Sequence, residues 1–149
     1  LGYNIKAEVK LMKKYEMIEH TAEIGIKAYG KNEEELFSNL AEGMFSITAG
    51  LENVKPEVSC NFEASAENVQ ELVFMYLSRL LYLFETKNIL FCRFEIARLE
   101  PGKKITGKAW GETLNREKHR LLRDIKAVTF HNLEVKKNKV WTASVIFDI

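Results

Sequence analysis

The sequence predicts an α+β domain, a two-layer sandwich with two main helices packed on one face of a mostly antiparallel or mixed sheet. Three observations carry this reading. Two long stretches repeat apolar residues at helical spacing. The segments around them alternate apolar and polar residues with the period of two expected of half-buried strands. The later strands are joined by short turn signals rather than helices, so neighbours return antiparallel. With no internal repeat, linker or low-complexity tract, residues 12–149 read as one domain. Met12-Lys13-Lys14-Tyr15 resembles a natural start, and residues 1–11 read as an upstream extension.

The first strand contains Ile26-Lys27-Ala28-Tyr29 and ends at Gly30. Asn32 is then placed to cap a helix whose first turn carries Glu33, Glu34 and Glu35, acids that suit the positive end of the helix dipole. Leu36, Leu40 and Met44 recur every four residues, flanked by Phe37, Ala41 and Ile47, and the stripe ends near Gly50. Val58, Cys60, Phe62 and Ala64 alternate as a strand, after which Ser65 is expected to cap the longest helix. The broad apolar face of that helix includes Leu72, Tyr76, Leu80 and Phe84, and its aromatics read as core. Cys92, Phe94 and Ile96 alternate in the next strand. Glu100-Pro101-Gly102-Lys103 forms a hairpin turn, because proline presets the second position and glycine accepts positive φ at the third. Ile105 to Glu112 should return antiparallel, with Gly107 and Gly111 marking bulges or a close backbone approach. Thr113 to Arg123 is polar and irregular. A second hairpin, turning at Lys137-Asn138, closes the chain, and its apolar parity switches near His131-Asn132, which predicts a β-bulge.

Composition narrows the function classes. Hydrophobic residues make up 46% of the 149, enough for a packed core. Lys and Arg number 22 against 21 Asp and Glu, and the net charge of +1 argues against a nucleic-acid binder that works by bulk charge. Cys60 and Cys92 lie in apolar alternating runs without a partner at metal-ligand spacing, and read as buried free thiols. No apolar run approaches a membrane span and no secretory pattern is present, so a cytoplasmic location is expected.

Chemistry concentrates in Ile18-Glu19-His20-Thr21-Ala22-Glu23-Ile24-Gly25 at the mouth of the first strand. Local spacing alone favours a solvated carboxylate for Glu23 and a core or capping role for His20. The end of the chain shifts that balance. Asp148 closes an apolar strand one residue before the terminal Ile149, on the face opposite Val145 and Phe147. Clustered oxygen donors there would suit Ca²⁺ or Mg²⁺ better than Zn²⁺; a solvated strand end is the alternative. The basic stretch is a solvated loop or a patch where Lys118, His119 and Arg123 meet phosphates or an acidic partner. No Ser-His-acid order, phosphate-cradling glycine loop or zinc spacing supports a self-sufficient hydrolase or nucleotidase.

Four blocks in order resemble the archease family: residues 19–25, residues 80–84, Lys126-Ala127-Val128-Thr129-Phe130-His131, and the closing Ile146-Phe147-Asp148-Ile149. The resemblance spans Tyr15 to Ile149. It implies an accessory protein rather than a catalyst, one that promotes guanylylation of an RtcB-type RNA ligase, sustains its turnover in tRNA splicing and can broaden the nucleotide used. The partner would be the ligase, with tRNA met only through it and no membrane involved. The family pattern implies a divalent ion of the Ca²⁺, Mg²⁺ or Mn²⁺ type on Glu23, Asp148 and Ile149. It also implies ligase contacts at Lys118 and Asp124 and a supporting role for His20. The chain departs from the pattern at Glu23, where aspartate is usual and the extra methylene moves the carboxylate by about 1.5 Å. Asn115 lies near a position where the family often has aspartate. The competing reading is an RNA-binding or chaperone module acting through Arg116, Lys118, Arg120 and Arg123.

Overall fold

The computed structural model describes residues 13–19 and 22–149; the expected extension at 1–11 lies outside the described residues. Strands β1 (Tyr15–Glu19) and β2 (Ile24–Gly30) precede helix α1 (Glu33–Thr48) and a short 3₁₀ turn (Leu51–Asn53). Strand β3 (Val58–Ser65) leads to helix α2 (Val69–Lys87), then β4 (Ile89–Glu100) and β5 (Lys104–Thr113). The chain finishes with β6 (Ala127–Val128), β7 (Glu134–Lys137) and β8 (Trp141–Asp148). The α+β class and the antiparallel pairing are as expected. The strands, however, divide into two sheets. One has the order β1-β2-β8-β6 with β7 also on β8, and the other the order β3-β5-β4.

Both helices touch both sheets. That explains why α1 is apolar well beyond one stripe: Leu36, Phe37, Leu40, Met44, Phe45 and Ile47 are all buried. Phe45 is the joint, stacked on Phe94 at 5.7 Å and edge-on to Phe84 and Phe91 at 5.8 and 5.7 Å. Two polar side chains within this core find backbone partners. The Asn39 amide donates to the Tyr29 carbonyl at 2.7 Å, and the buried Tyr76 hydroxyl donates to the Phe37 carbonyl at 3.0 Å. Burial pushes the Tyr76 phenol well above its ordinary pKa, so it stays a neutral donor.

Local chemistry sets the boundaries. Asn32 caps α1 as expected, its side chain accepting from Glu35 N–H at 2.8 Å. The cap of α2 is Asn68, not Ser65. Ser65 is still paired with Lys104 in the sheet, and the chain must leave β3 before it can turn into the helix. The 100–103 turn forms as read, with Gly102 at φ +69° and Lys103 N–H donating to Glu100 C=O at 2.9 Å. Both β4 irregularities fall opposite Gly111 and Gly107. At those two positions a Cβ would collide with the Leu90 and Glu95 carbonyls of the neighbouring strand, so only glycine fits.

Two expectations need correction. The face switch near His131-Asn132 is larger than a bulge: continuing the β6 register would set residue 131 opposite Ser144, where Glu134 stands. Three extra residues are accommodated by a turn with Leu133 N–H on Phe130 C=O and Asn132 at φ +53°. Cys60 and Cys92 are free thiols but half-buried, because each lies near a sheet margin.

Replacing Phe45 with alanine should cost about 3–5 kcal/mol, since it removes the ring joining three aromatics and leaves a cavity between the sheets. Urea unfolding of the variant measures this.

Candidate functional site

The β2–β8 pairing builds the site from opposite ends of the domain. Ile24 is directly opposite Phe147, and both are buried on the helix side. Glu23 immediately precedes β2 and Asp148 ends β8, so that register carried one residue further would place the two side by side. Alternation along β8 turns Asp148 to the face opposite Phe147. Glu23 is half-buried, and Asp148 and Ile149 are exposed. The start of β2 and the end of β8 lie at the same end of their shared ladder, because Ile24 pairs with Phe147.

Two further residues frame the pair. His131 Nε2 lies 3.1 Å from Glu23 Oε1, brought there by the turn that interrupts β6 and β7. Lys126 N–H donates to the Asp148 carbonyl at 2.8 Å, which fixes the end of β8. Sequence reasoning quoted both residues inside one motif without giving either a role; the β6–β8 pairing that brings them to the site is too short to read from periodicity. His20 lies outside the described residues. Among the described residues, no group of three or more His, Cys, Asp or Glu side chains is arranged to hold a metal. Glu23, Asp148 and the main chain of Ile149 carry oxygen donors of the hard type that a Ca²⁺-, Mg²⁺- or Mn²⁺-like ion takes. The donor chemistry fits a hard ion held partly by water.

The other two expected contact residues lie elsewhere. Asp124 lines a cavity with Arg123, Leu121 and Leu122. Lys118 binds Glu112 in the second sheet, at 2.8 and 3.0 Å from the two carboxylate oxygens. His119, expected as a candidate phosphate ligand, is buried, because it too is consumed by Glu112. Asn115 N–H donates to His119 Nδ1 at 2.9 Å, which leaves Nε2 as the protonated nitrogen facing Glu112. His119 and Lys118 together hold the Glu112 carboxyl down to about 2, from an ordinary 4.5. Asn115 thus serves this clasp, through its backbone N–H and through its side chain, which accepts from Glu117 N–H at 3.0 Å.

Small α+β domains built from two antiparallel sheets are the class this geometry defines. The Archease protein family (MTH1598/TM1083) matches residues 15–149. Protein archease of Thermococcus kodakarensis is 34% identical over 93% of this chain and 100% of its own length. Its counterpart from Methanosarcina mazei is 38% identical over 92% and 97%. The solution structure of protein 1598 from Methanobacterium thermoautotrophicum superposes with a TM-score of 0.79 at 33% identity, covering 93% of this chain and all of that one. A crystal structure from Thermotoga maritima, described as an archease and possible chaperone, shares the fold at TM-score 0.61 and 21% identity over 89% and 94% of the two chains. The chain belongs to the archease family.

Glu112→Gln should be destabilised, with a pH signature. The folded carboxyl titrates below the unfolded one, so its stabilisation is complete above about pH 4.5 and is lost as pH falls toward about 2. The gap in stability between the native chain and the variant should therefore close across that window, as read by denaturant melts at stepped pH.

Proposed function

We propose that the protein is a metal-binding accessory factor of an RtcB-type tRNA-splicing RNA ligase, promoting guanylylation and repeated turnover of the ligase and widening its choice of nucleotide. Family membership supports the accessory role. What supports the metal part is the β2–β8 register, which ends with Ile24 opposite Phe147 and, carried one residue further, would bring Glu23 beside Asp148. Like charges facing each other across a ladder are unfavourable, and a divalent ion between them would reverse that sign. With 22 basic and 21 acidic residues, the chain suits docking on a protein better than wrapping tRNA.

The RNA-binding or chaperone reading draws on the basic stretch, and two of its four cations are already spent. Lys118 pairs with Glu112, and Arg123 with Glu19 at 2.9 Å. The "possible chaperone" description of the Thermotoga maritima relative is the observation in its favour.

A ligation assay with limiting ligase, GTP and metal should show increased turnover when this protein is added; unchanged turnover would sink the reading. Asp148→Ala and Glu23→Gln should each lower metal affinity by at least about tenfold and remove the stimulation. Both should melt within about 0.5 kcal/mol of the native chain, because neither carboxylate packs in the core. Calorimetric titration with Ca²⁺, Mg²⁺ and Mn²⁺ measures the first effect, and full stimulation by Asp148→Ala would remove the strand end from the mechanism.

A further inference from the structure

The margins of a sheet carry unpaired N–H and C=O groups, and most margins of this domain are blunted. Ion pairs guard β1, with Glu19 on Arg123 at 2.9 Å and the adjoining Lys14 on Glu42 at 3.1 Å. Strand β4 is broken by two register shifts, and the Ser38 hydroxyl donates to its Phe94 C=O at 3.1 Å. Strands β6 and β7 are two and four residues long, and β7 ends in Lys136 and Lys137. Strand β3 lacks these devices. Its eight residues, Val58–Ser65, include no lysine, arginine or proline and pair with β5 without a break in register.

Hydrogen-bond parity fixes what this margin presents. Ala66 N–H donates to Lys103 C=O at 2.8 Å, so in this register the even-numbered residues of β3 bond to β5. The backbone groups of Ser59, Asn61, Glu63 and Ser65 therefore point away from β5, and all four residues are exposed. A flank of α2 stands beside the same margin. Arg79 shares a shallow cavity of about 430 Å³ with Asn61, Phe62 and Glu63. Met75 and Tyr82, on the same helix face as Arg79 by their spacing, are 41% and 52% exposed.

We infer that this margin joins two copies of the chain, β3 against antiparallel β3 across a two-fold axis. The product is one sheet of six strands, three from each copy. Two features select a second copy over a foreign strand. The first is self-complementarity. With the axis at either central residue, Asn61 or Phe62, the outward-bonding residues of one edge meet those of the other. Glu63, the one charge of the strand, then faces Ser59 or Asn61 of the second copy and never its own image, and Lys104 balances it at 2.8 Å within its own chain. The second feature is α2. An edge pairing alone covers less than the about 1,600 Å² of a standard interface. The two-fold sets a second α2 flank against the first and covers Met75 and Tyr82, which a lone inserted strand would leave in water.

Sedimentation equilibrium of the full chain should show mass rising with concentration from one chain to two. Asn61→Pro removes an outward N–H and sets a ring on the free margin without costing a bond to β5. It should weaken the dimer at least about tenfold and leave far-ultraviolet circular dichroism unchanged. Should that variant fail to fold, the Met75→Glu, Tyr82→Glu double substitution carries the test, with the same loss expected because like charges would then meet across the axis. A chain that stays monomeric at millimolar concentration overturns the inference, as does a dimer that neither variant weakens. A monomeric chain that instead takes up an extended peptide along β3, seen as amide shifts at Ser59 to Glu63, overturns it too. None of these substitutions touches Glu23 or Asp148, so the dimer and the metal-binding reading stand or fall separately.

Discussion

Everything in the domain depends on the pairing of β2 with β8. Seven consecutive residue pairs join a strand near the start of the fold to the one that ends it. The contact is long in sequence and costly in loop entropy, so it must be repaid by burial. Ile24, Ile26, Ala28, Val145 and Phe147 make that repayment on one face, where α1 lies across them. The opposite face is left for polar chemistry. The register that buries Ile24 against Phe147 also brings the residues flanking the two strands to one end of the sheet.

The second sheet reaches the first through α1 and through the pinned crossing at 114–126. Thr48 and Gly50, at the end of α1, hold Leu122 and Arg120 of the crossing by backbone hydrogen bonds, so helix and crossing behave as one frame. That frame ends on the site from both directions. Arg123 pairs with Glu19 beside the opening motif, and Lys126 fixes the carbonyl of Asp148. The buried Glu112–His119 pair, far along the sequence from either carboxylate, is therefore part of what keeps the site's borders in place.

Much of the fold was legible in the sequence wherever one local rule governed. The cap at Asn32, the Gly102 turn and the close approaches at Gly107 and Gly111 each follow from a single residue's conformational limits. The splitting of the strands into two sheets was not legible, because alternation reports a buried face and not which neighbour a strand finds. Ser65 misled as a cap because serine also suits a strand end, and only pairing with Lys104 decides between them. The basic neighbours of His119 suit a solvated loop or a phosphate-facing patch, and neither reading buries it. Its partner Glu112 stood in a strand pattern that gave no hint of a buried acid. The contact of His131 with Glu23 was not legible, because it depends on a three-residue excursion that periodicity registers only as a change of face.

The excursion at His131 completes the electrostatic argument. Two carboxylates opposed across adjacent strands repel, and the strand ends that carry them have little packing with which to resist. The protein moderates this in two ways: by leaving Asp148 in solvent, and by bringing an imidazole to Glu23 through an insertion that interrupts the ladder. Breaking a ladder costs backbone hydrogen bonds and needs a compensating gain nearby. The contact between His131 and Glu23 at 3.1 Å supplies part of that gain, and the turn's own hydrogen bond from Leu133 N–H to Phe130 C=O supplies another part.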